Sequence, residues 1–246
     1  MSLYILIESA TEGCSVAITD GERIISCQRS DEPRCQASRL VPMIGDAMKS
    51  AGVKASDCEA VAVSEGPGSY TGLRVGLSTA KGICYGASLK LIGINTLDIL
   101  ANMGCGRLSG RHLIIPMIDA RRMEVYSALY TGEGERISEI YPVILDENSF
   151  SQEFQEYDSL LFIGDGAEKF CRILPEDKKK RALFVQCSPD VSGMVAPLRK
   201  KIAAGEYEDV AYFEPFYLKD FVAGVSKKSM NALFSGLPSK QQHQDQ

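Results

Sequence analysis

The chain has 246 residues, 45% of them apolar, and carries a formal net charge of −5 with a pI of about 5.2. That length fits one large domain or two small lobes with an ample core, and the negative charge disfavours direct binding to a nucleic-acid backbone. No apolar run approaches the roughly 18 residues that a membrane-spanning helix needs, so we expect no membrane association.

The first hundred residues predict three strands followed by alternating helices and strands. Asp20-Gly21 is typical of a hairpin turn because glycine tolerates positive φ, and Gly52 stands where a helix C-cap belongs. Apolar residues recur at helical spacing before Gly52, whereas short apolar runs indicate buried strands. The predicted elements are the strands Leu3–Glu8, Cys14–Thr19 and Arg23–Gln28, a helix Gln36–Ala51, the strand Glu59–Ser64, a helix Thr71–Gly86, the strand Leu89–Asn95 and a helix Thr96–Gly104.

The same order of elements then restarts. The tetrapeptide GERI occurs at the same point of each predicted three-strand meander, at Gly21–Ile24 and Gly134–Ile137. So short a match can arise by chance, and the order of the elements carries the argument for a repeat. The predicted elements are the strands His112–Asp119, Met123–Tyr130 and Arg136–Leu145, a helix-compatible stretch Glu147–Tyr157, the strand Leu160–Gly166, a helix through Phe170, the strand Ala182–Gln186 and a helix Ser192–Ala204.

Two copies of strand, strand, strand, helix, strand, helix predict a duplicated α/β fold with two lobes. This is the arrangement of the actin-like and Hsp70-like ATPases, which have a ribonuclease H-like fold. We expect a first lobe over residues 1–106, a second over 107–225 and a disordered tail over 226–246. In such proteins the acidic ends of the first strands face each other across a cleft. Glu8 and Asp119 take those places here, unless both only cap strand ends.

The stretch EGPGSYTGLRVGLSTAKGICYG, residues 65–86, has the glycine density of a phosphate-binding loop but not its spacing. The lysine that a P-loop requires after its second glycine is missing, and the spacing G-x-G-x-x-x-G is one residue too long for the dinucleotide fingerprint. The two histidines, His112 and His243, form no zinc-binding motif and offer no base for a serine triad. These patterns disfavour a nucleotide loop, a metallopeptidase and a serine hydrolase.

The same stretch places small residues along one side of a predicted helix. Glycine in a helix interior costs roughly 1 kcal/mol relative to alanine, so close approach of another helix must offset that cost. The approaching helix belongs either to the same chain or to another protein, and we expect a partner interface. At about 100° per residue, the stripe consists of Gly72, Gly76, Thr79, Ile83 and Gly86.

These residues carry a resemblance to a known family. The run GPGSYTGLRVG closely resembles the G-P-G-S-[FY]-T-G-L-R-[IV]-G signature of the TsaB family. The segments ILIESATEGCSVAI, IDARRMEVYSALY, FIGDGAEKF and PFYLK resemble further parts of that family, so the resemblance spans about residues 3–221. The signature loop and helix start comprise Gly66, Pro67, Gly68, Ser69, Tyr70, Thr71 and Arg74.

The resemblance implies a non-catalytic pseudo-enzyme subunit of the bacterial, cytoplasmic machinery for tRNA threonylcarbamoyladenosine. It implies that the first lobe docks onto the related catalytic subunit TsaD, that the ATPase TsaE joins the assembly, and that tRNA is reached through the complex. A homodimer through the same surface is expected when the subunit is alone. No cofactor or metal is expected on this subunit alone, whereas ATP or ADP with magnesium can enter the assembled complex. Glu8 and Asp119 are then vestigial cleft carboxylates.

Three positions depart from the family pattern. Glu8 replaces a common aspartate, Ala37-Ser38 replaces a histidine-serine pair, and Lys219 replaces a closing arginine, which keeps the charge but loses the bidentate fork. Such changes are easier to accept in a scaffold than in an enzyme. The alternative function is an independent actin-like ATPase or small-molecule kinase that uses Glu8 and Asp119 with magnesium, and it predicts magnesium-dependent ATP turnover by the isolated chain.

The cysteines and the basic runs add little to this assignment. Eight cysteines are scattered without a C-x-x-C pair and without a signal peptide, so we expect reduced thiols in the cytoplasm. Basic runs at residues 178–181, 199–201 and 227–228 either contact phosphate or form a solvated surface.

Overall fold

The computed structural model describes residues 2–218, so Lys219, the basic run 227–228 and the predicted tail 226–246 lie outside the described residues. In the described part, no helix is both long and apolar enough to cross a membrane, and the eight cysteines are free thiols. The strands are β1 (Leu3–Glu8), β2 (Cys14–Asp20), β3 (Arg23–Ser30), β4 (Ala60–Gly66), β5 (Lys90–Asn95), β6 (His112–Asp119), β7 (Glu124–Ser127), β8 (Tyr130–Thr131), β9 (Tyr141–Ile144), β10 (Ser159–Ile163) and β11 (Ala182–Val185). The helices are α1 (Gln36–Ala51), α2 (Tyr70–Ala87), α3 (Thr96–Gly104), α4 (Ser151–Glu156), α5 (Ala167–Ile173), α6 (Glu176–Lys179) and α7 (Val195–Ala204), with 3-10 turns at Ala55–Asp57 and Val191–Met194.

The first sheet has the strand order β3-β2-β1-β4-β5. The central strand β1 pairs antiparallel with β2, from Leu3 opposite Asp20, and parallel with β4. All six residues of β1 are buried because both faces of the sheet are covered, which accounts for its continuous apolar sequence. Gly21 has a φ of +58° in the β2–β3 turn and Gly52 a φ of +68° at the end of α1, so the predicted hairpin turn and C-cap are confirmed.

The second sheet repeats the order of the first. Its central strand β6 pairs antiparallel with β7, which pairs with β9, and parallel with β10, which pairs with β11. The order β9-β7-β6-β10-β11 therefore corresponds strand for strand to the first sheet. Helices α1 and α2 cover one face of the first sheet, and α4 and α5 pack against one face of the second. The predicted duplicated two-lobe α/β fold is confirmed.

Part of the second meander differs from its prediction. The predicted strand Met123–Tyr130 is divided into β7 and β8, opposite Pro116 on β6. Proline has no N–H to donate to the ladder, which explains the division. Of the predicted strand Arg136–Leu145, only β9 and an isolated β-bridge between Arg136 and Tyr130 form, and the N–H of Ile137 donates to the carbonyl oxygen of Leu129 at 2.8 Å beside that bridge. The one-turn helix α6 is an element that the sequence did not predict.

Two segments of the chain connect the lobes: helix α3, and the 3-10 turn at Val191–Met194 together with the start of α7. Helix α3 lies between the sheets, since Ile99 packs against the first sheet while Leu100 packs against β6 and β10. The residues Val191, Met194 and Leu198, from the part of the chain predicted to belong to the second lobe, also pack against the first sheet. The lobes therefore share buried residues, and the division at residues 106 and 107 stays a prediction.

Candidate functional site

The loop after β4 is shaped by close contacts within the chain. Gly66 ends β4 with a φ of +119°, and a Cβ there would lie 2.6 Å from the carbonyl oxygen of Phe216. Glycine satisfies both constraints because it has no Cβ. Pro67 is buried, and Ser69 is the N-cap of α2, where its hydroxyl accepts a hydrogen bond from the N–H of Gly72 at 3.3 Å. The signature loop therefore turns a strand into a helix, and its glycines serve backbone packing.

The first turns of α2 lie against the loop after β1. A Cβ at Gly68 would overlap the carbonyl oxygen of Ala10, one at Gly72 would overlap that of Ser9, and one at Gly76 would overlap the Ser9 hydroxyl. The Ser9 hydroxyl donates to the carbonyl oxygen of Gly72 at 3.0 Å. The structure therefore corrects the predicted partner interface at Gly72 and Gly76, which are buried against the chain's own loop. Helical spacing identified a stripe of small residues but not the segment that covers it.

The later turns of α2 present an open surface. Thr79 and Ile83 are half-buried, and Gly86 is exposed. A Cβ at Gly82 or Gly86 would meet no atom within 4 Å, and Tyr85 between them is 88% exposed. For Thr79, Ile83 and Gly86, contact with a partner stays a prediction. We refer to the following residues together as the open face of α2: Ser78, Thr79, Gly82, Ile83, Tyr85 and Gly86.

Residues 206–218 form a strap that crosses the first lobe after α7. The N–H of Phe216 donates to the carbonyl oxygen of Glu65 at 2.8 Å. The Phe213 ring lies so close to Gly93 that a Cβ there would be 2.5 Å from a ring carbon. The strap therefore crosses the middle of β5 and reaches the end of β4, and no pattern in its sequence predicted this role.

Two residues of the signature hold the end of the strap. The Arg74 Nε donates to the Tyr217 hydroxyl at 3.0 Å, and the guanidinium carbon lies 4.0 Å from the centroid of the Tyr70 ring. The rings of Tyr70 and Tyr217 are 5.4 Å apart, while Thr71 beside them is exposed. The segments GPGSYTGLR and PFYLK, which the sequence presents separately, are therefore in contact.

The carboxylate of Glu8 is enclosed in the first lobe. Glu8 is 1% exposed, and its Oε1 accepts a hydrogen bond from the N–H of Ala10 at 2.8 Å. Its Oε2 has no hydrogen-bond partner among residues 2–218. Burial, with smaller contributions from the charges of Asp190 and Asp165, raises the pKa of Glu8 to about 8. A buried carboxyl group that is mostly protonated at neutral pH is a poor ligand for magnesium.

Asp119 is accessible but already paired. Its side chain is 40% exposed, and Lys169 lies 2.9 Å from it in an ion pair. The N–H of Asp119 donates to Asp165 Oδ1 at 2.8 Å, and burial raises the pKa of Asp165 to about 6. Lys169 supplies the positive charge that a metal ion would otherwise bring to Asp119. Among residues 2–218, no three or more His, Cys, Asp or Glu side chains are grouped so that they could hold a metal ion.

Neither Asp165 nor Lys169 was identified as a site residue from the sequence. Both lie in the segment FIGDGAEKF, which the sequence marks only by resemblance and by the Gly-Asp-Gly run at a strand end. An acidic residue directly after a buried strand was the available signal for Asp165. No signal in the sequence indicates that Lys169 neutralises Asp119, because the pair is formed by residues 50 positions apart.

The family model and two relatives that match this chain have names from the threonylcarbamoyl modification of tRNA. The model of the family TsaD: tRNA N6-adenosine threonylcarbamoyltransferase matches residues 33–227. The tRNA threonylcarbamoyladenosine biosynthesis protein TsaB of Escherichia coli (strain K12) is 32% identical over 225 residues, which are 88% of this chain and 94% of that protein. The protein of the same name from Haemophilus influenzae is 34% identical over 131 residues, 53% of this chain and 54% of that protein.

Two solved structures have the same fold. One is an uncharacterized protein with similarity to peptidase YEAZ from Pseudomonas aeruginosa, with a TM-score of 0.77 and 27% identity. The other is YeaZ from Pseudomonas aeruginosa, with a TM-score of 0.74 and 26% identity. Each likeness covers 89% of this chain and 100% of the other, so both sheets and their helices have counterparts in these proteins.

Proposed function

This chain belongs to the TsaB family, and from that premise we propose that it is a non-catalytic scaffold subunit in the synthesis of threonylcarbamoyladenosine in tRNA. In this proposal its first lobe binds the catalytic paralogue TsaD, which transfers the threonylcarbamoyl group to the adenosine beside the anticodon. The ATPase TsaE joins the assembly through TsaD, and tRNA is bound by the complex as a whole.

The observation that carries the docking role is the open face of α2. Tyr85 is 88% exposed, and nothing in the described chain covers Gly82 or Gly86 beside it. Gly82 lies inside the helix, where glycine costs roughly 1 kcal/mol relative to alanine, and no close contact with another part of residues 2–218 offsets that cost. A partner helix that approaches over the glycines and packs against the Tyr85 ring would offset it. Val41 on α1, which packs against α2, is a second large apolar side chain that is exposed, at 64%.

The same face also supports a homodimer when the paralogue is absent. Tyr85 is a large side chain less than one helical turn from Gly82, where a side chain is missing. In a two-fold symmetric pair the same patch meets itself, so the Tyr85 of each copy can fill the space above the Gly82 of the other. The homodimer and the complex with TsaD would then exclude each other.

Two features support the absence of catalysis in this subunit. The carboxyl group of Glu8 is buried, and the charge of Asp119 is neutralised by Lys169. A cleft arranged in this way lacks the pair of accessible carboxylates that an ATPase or kinase of this fold would use with magnesium. We therefore assign the chemistry to TsaD and propose that ATP or ADP with magnesium enters only the assembled complex.

We also propose a cytoplasmic location. The substrate named for the relatives is tRNA, and the described residues contain no helix that could cross a membrane.

Co-expression with the TsaD paralogue of the same genome, followed by size-exclusion chromatography, tests the docking role. Gly82→Leu places a large side chain on the open face of α2, and overpacking of about 1–3 kcal/mol corresponds to an affinity about 5- to 150-fold weaker. The control is Ala203→Leu, a similar enlargement at an exposed position of α7. At the same protein concentration, wild type and the Ala203 variant should co-elute with TsaD to the same extent, whereas a smaller fraction of the Gly82 variant should co-elute. Equal co-elution of all three across a dilution series would contradict docking through this face.

A further inference from the structure

The turn between β6 and β7 contains two consecutive arginines in the left-handed backbone region. Arg121 has a φ of +71° and Arg122 a φ of +52°. Two backbone hydrogen bonds fix this conformation. The N–H of Glu124 donates to the carbonyl oxygen of Arg121 at 3.2 Å, and the N–H of Ala120 donates to the carbonyl oxygen of Glu124 at 3.0 Å. Asparagine and glycine adopt positive φ in such turns with the least strain, and longer side chains are disfavoured there. The backbone conformation of the turn therefore disfavours arginine at both positions.

Both arginine side chains are available to a ligand. Arg121 and Arg122 are exposed, and neither guanidinium forms an ion pair or a hydrogen bond with any of residues 2–218. The adjacent carboxylate of Asp119 is already paired with Lys169, whose Nζ also donates to the carbonyl oxygen of Glu124 at 3.1 Å. Among residues 2–218, two guanidinium groups without an ion pair or a hydrogen bond therefore follow directly after the end of β6 and after Asp119, whose charge is already paired with Lys169.

We propose that Arg121 and Arg122 contact the phosphodiester backbone of the tRNA that the complex modifies. The proposal rests on the proposed function, because the names of the relatives supply the RNA. Guanidinium groups bind phosphate oxygens in a bidentate manner, so a bound phosphate would offset the backbone strain of the turn. The chain as a whole has a net charge of −5 and repels RNA, so a phosphate contact on it has to be a local cluster of this kind.

The double variant Arg121→Asn/Arg122→Gly separates the two roles of these residues. It keeps the N–H groups and gives the turn the residues that best adopt positive φ, so the full chain should melt higher by about 2–4 °C. Binding of tRNA by the TsaD complex of this chain should weaken at low salt. The slope of log K against log salt should become shallower by about 1.4–1.8, since each lost phosphate contact accounts for about 0.7–0.9.

Two matched variants complete the design. Arg121→Lys/Arg122→Lys keeps both charges and should keep most of the salt slope. Arg107→Gln/Arg172→Gln removes two exposed charges elsewhere in the second lobe, outside the basic runs, and should leave the slope unchanged. Filter binding of unmodified tRNA across about 50–200 mM salt supplies the slopes. Size exclusion with TsaD establishes in parallel whether each complex forms.

The outcomes separate this proposal from the docking role. If both complexes form and the slope of log K against log salt is the same for the Asn-Gly variant as for wild type, the tRNA contact is overturned. Loss of TsaD binding by the Asn-Gly variant, with a slope for the full chain alone that equals that of wild type alone, shows that the arginines meet acidic side chains of the partner, which also overturns it. If the melting temperature of the Asn-Gly variant is not higher than that of wild type, the two arginines do not strain the turn. If wild type forms no complex, the proposed function fails, and the slopes of the full chain alone decide the tRNA contact.

Discussion

Replacement of a signature glycine by alanine should destabilise the chain, although alanine is the better helix former. At Gly72 the added methyl group would overlap the carbonyl oxygen of Ser9, which belongs to the buried loop after β1. At Gly82, six residues after Gly76 in the same helix, the methyl group meets no atom within 4 Å. The two substitutions are chemically identical and differ only in what lies opposite the helix.

The structure sets the sign and the approximate size of each effect. In Gly72→Ala, overpacking costs about 1–3 kcal/mol, and displacement of the hydrogen bond from the Ser9 hydroxyl to the Gly72 carbonyl adds about 1 kcal/mol. Helix propensity returns at most about 1 kcal/mol, so the net loss is about 1–3 kcal/mol. Gly82→Ala incurs no clash and should gain up to about 1 kcal/mol. For a chain of this size, 1 kcal/mol corresponds to roughly 2–4 °C in melting temperature.

Urea denaturation of the two full-length variants, followed by circular dichroism, measures both differences. Gly72→Ala should be less stable than wild type, and Gly82→Ala should be at least as stable as wild type. A Gly72 variant as stable as wild type would show that the loop after β1 yields at no cost, and the packing role of the signature glycines would then be refuted.

Three further predictions concern the cleft and the strap. The folded-state pKa of Glu8, about 8, exceeds the usual carboxyl value of about 4.3, so the stability that its proton provides is complete at acid pH and is lost as the pH rises through 8. Glu8→Gln stays neutral and should gain stability relative to wild type across that range, whereas parallel denaturation curves would contradict the raised pKa. Phe213→Ala removes the ring that lies against Gly93 and should cost about 2 kcal/mol in urea denaturation; no change would mean that the strap is not part of the cooperative fold. The isolated chain should show no magnesium-dependent ATP binding by calorimetry, and micromolar binding that is lost in Glu8→Ala would instead support the ATPase alternative.

Local patterns were sufficient to predict most of the fold. Strand β1 has the predicted bounds, and α1 ends at the predicted C-cap, because buried parallel strands and capped amphipathic helices are specified by residues close together in the chain. The repeat was predicted from the order of elements along the chain, whereas the order of the strands within each sheet is seen only in the structure. The division between β7 and β8 was not predicted, although Pro116 is visible in the sequence, because its effect depends on which residues lie opposite it.

The candidate site was less predictable for a related reason. Helical spacing placed Gly72 and Gly76 on one stripe with Gly86, but tertiary packing decides that Ser9 covers the first two and leaves the last exposed. The pairing of Asp119 with Lys169, like the contact between the signature and the strap, joins residues far apart in the sequence. Such contacts leave no periodic signal in a single chain.

In the proposed function, this subunit organises a catalytic partner and performs no chemistry itself. The most direct measurement is the threonylcarbamoyladenosine content of tRNA after a reconstituted reaction with TsaD, TsaE and the threonylcarbamoyl adenylate donor. Asp119→Asn keeps the acceptor for the N–H of Arg121 and removes the charge, and it should support wild-type product formation. Gly82→Leu should form less product in proportion to the complex that is lost. Loss of product with Asp119→Asn in an intact complex would contradict the claim.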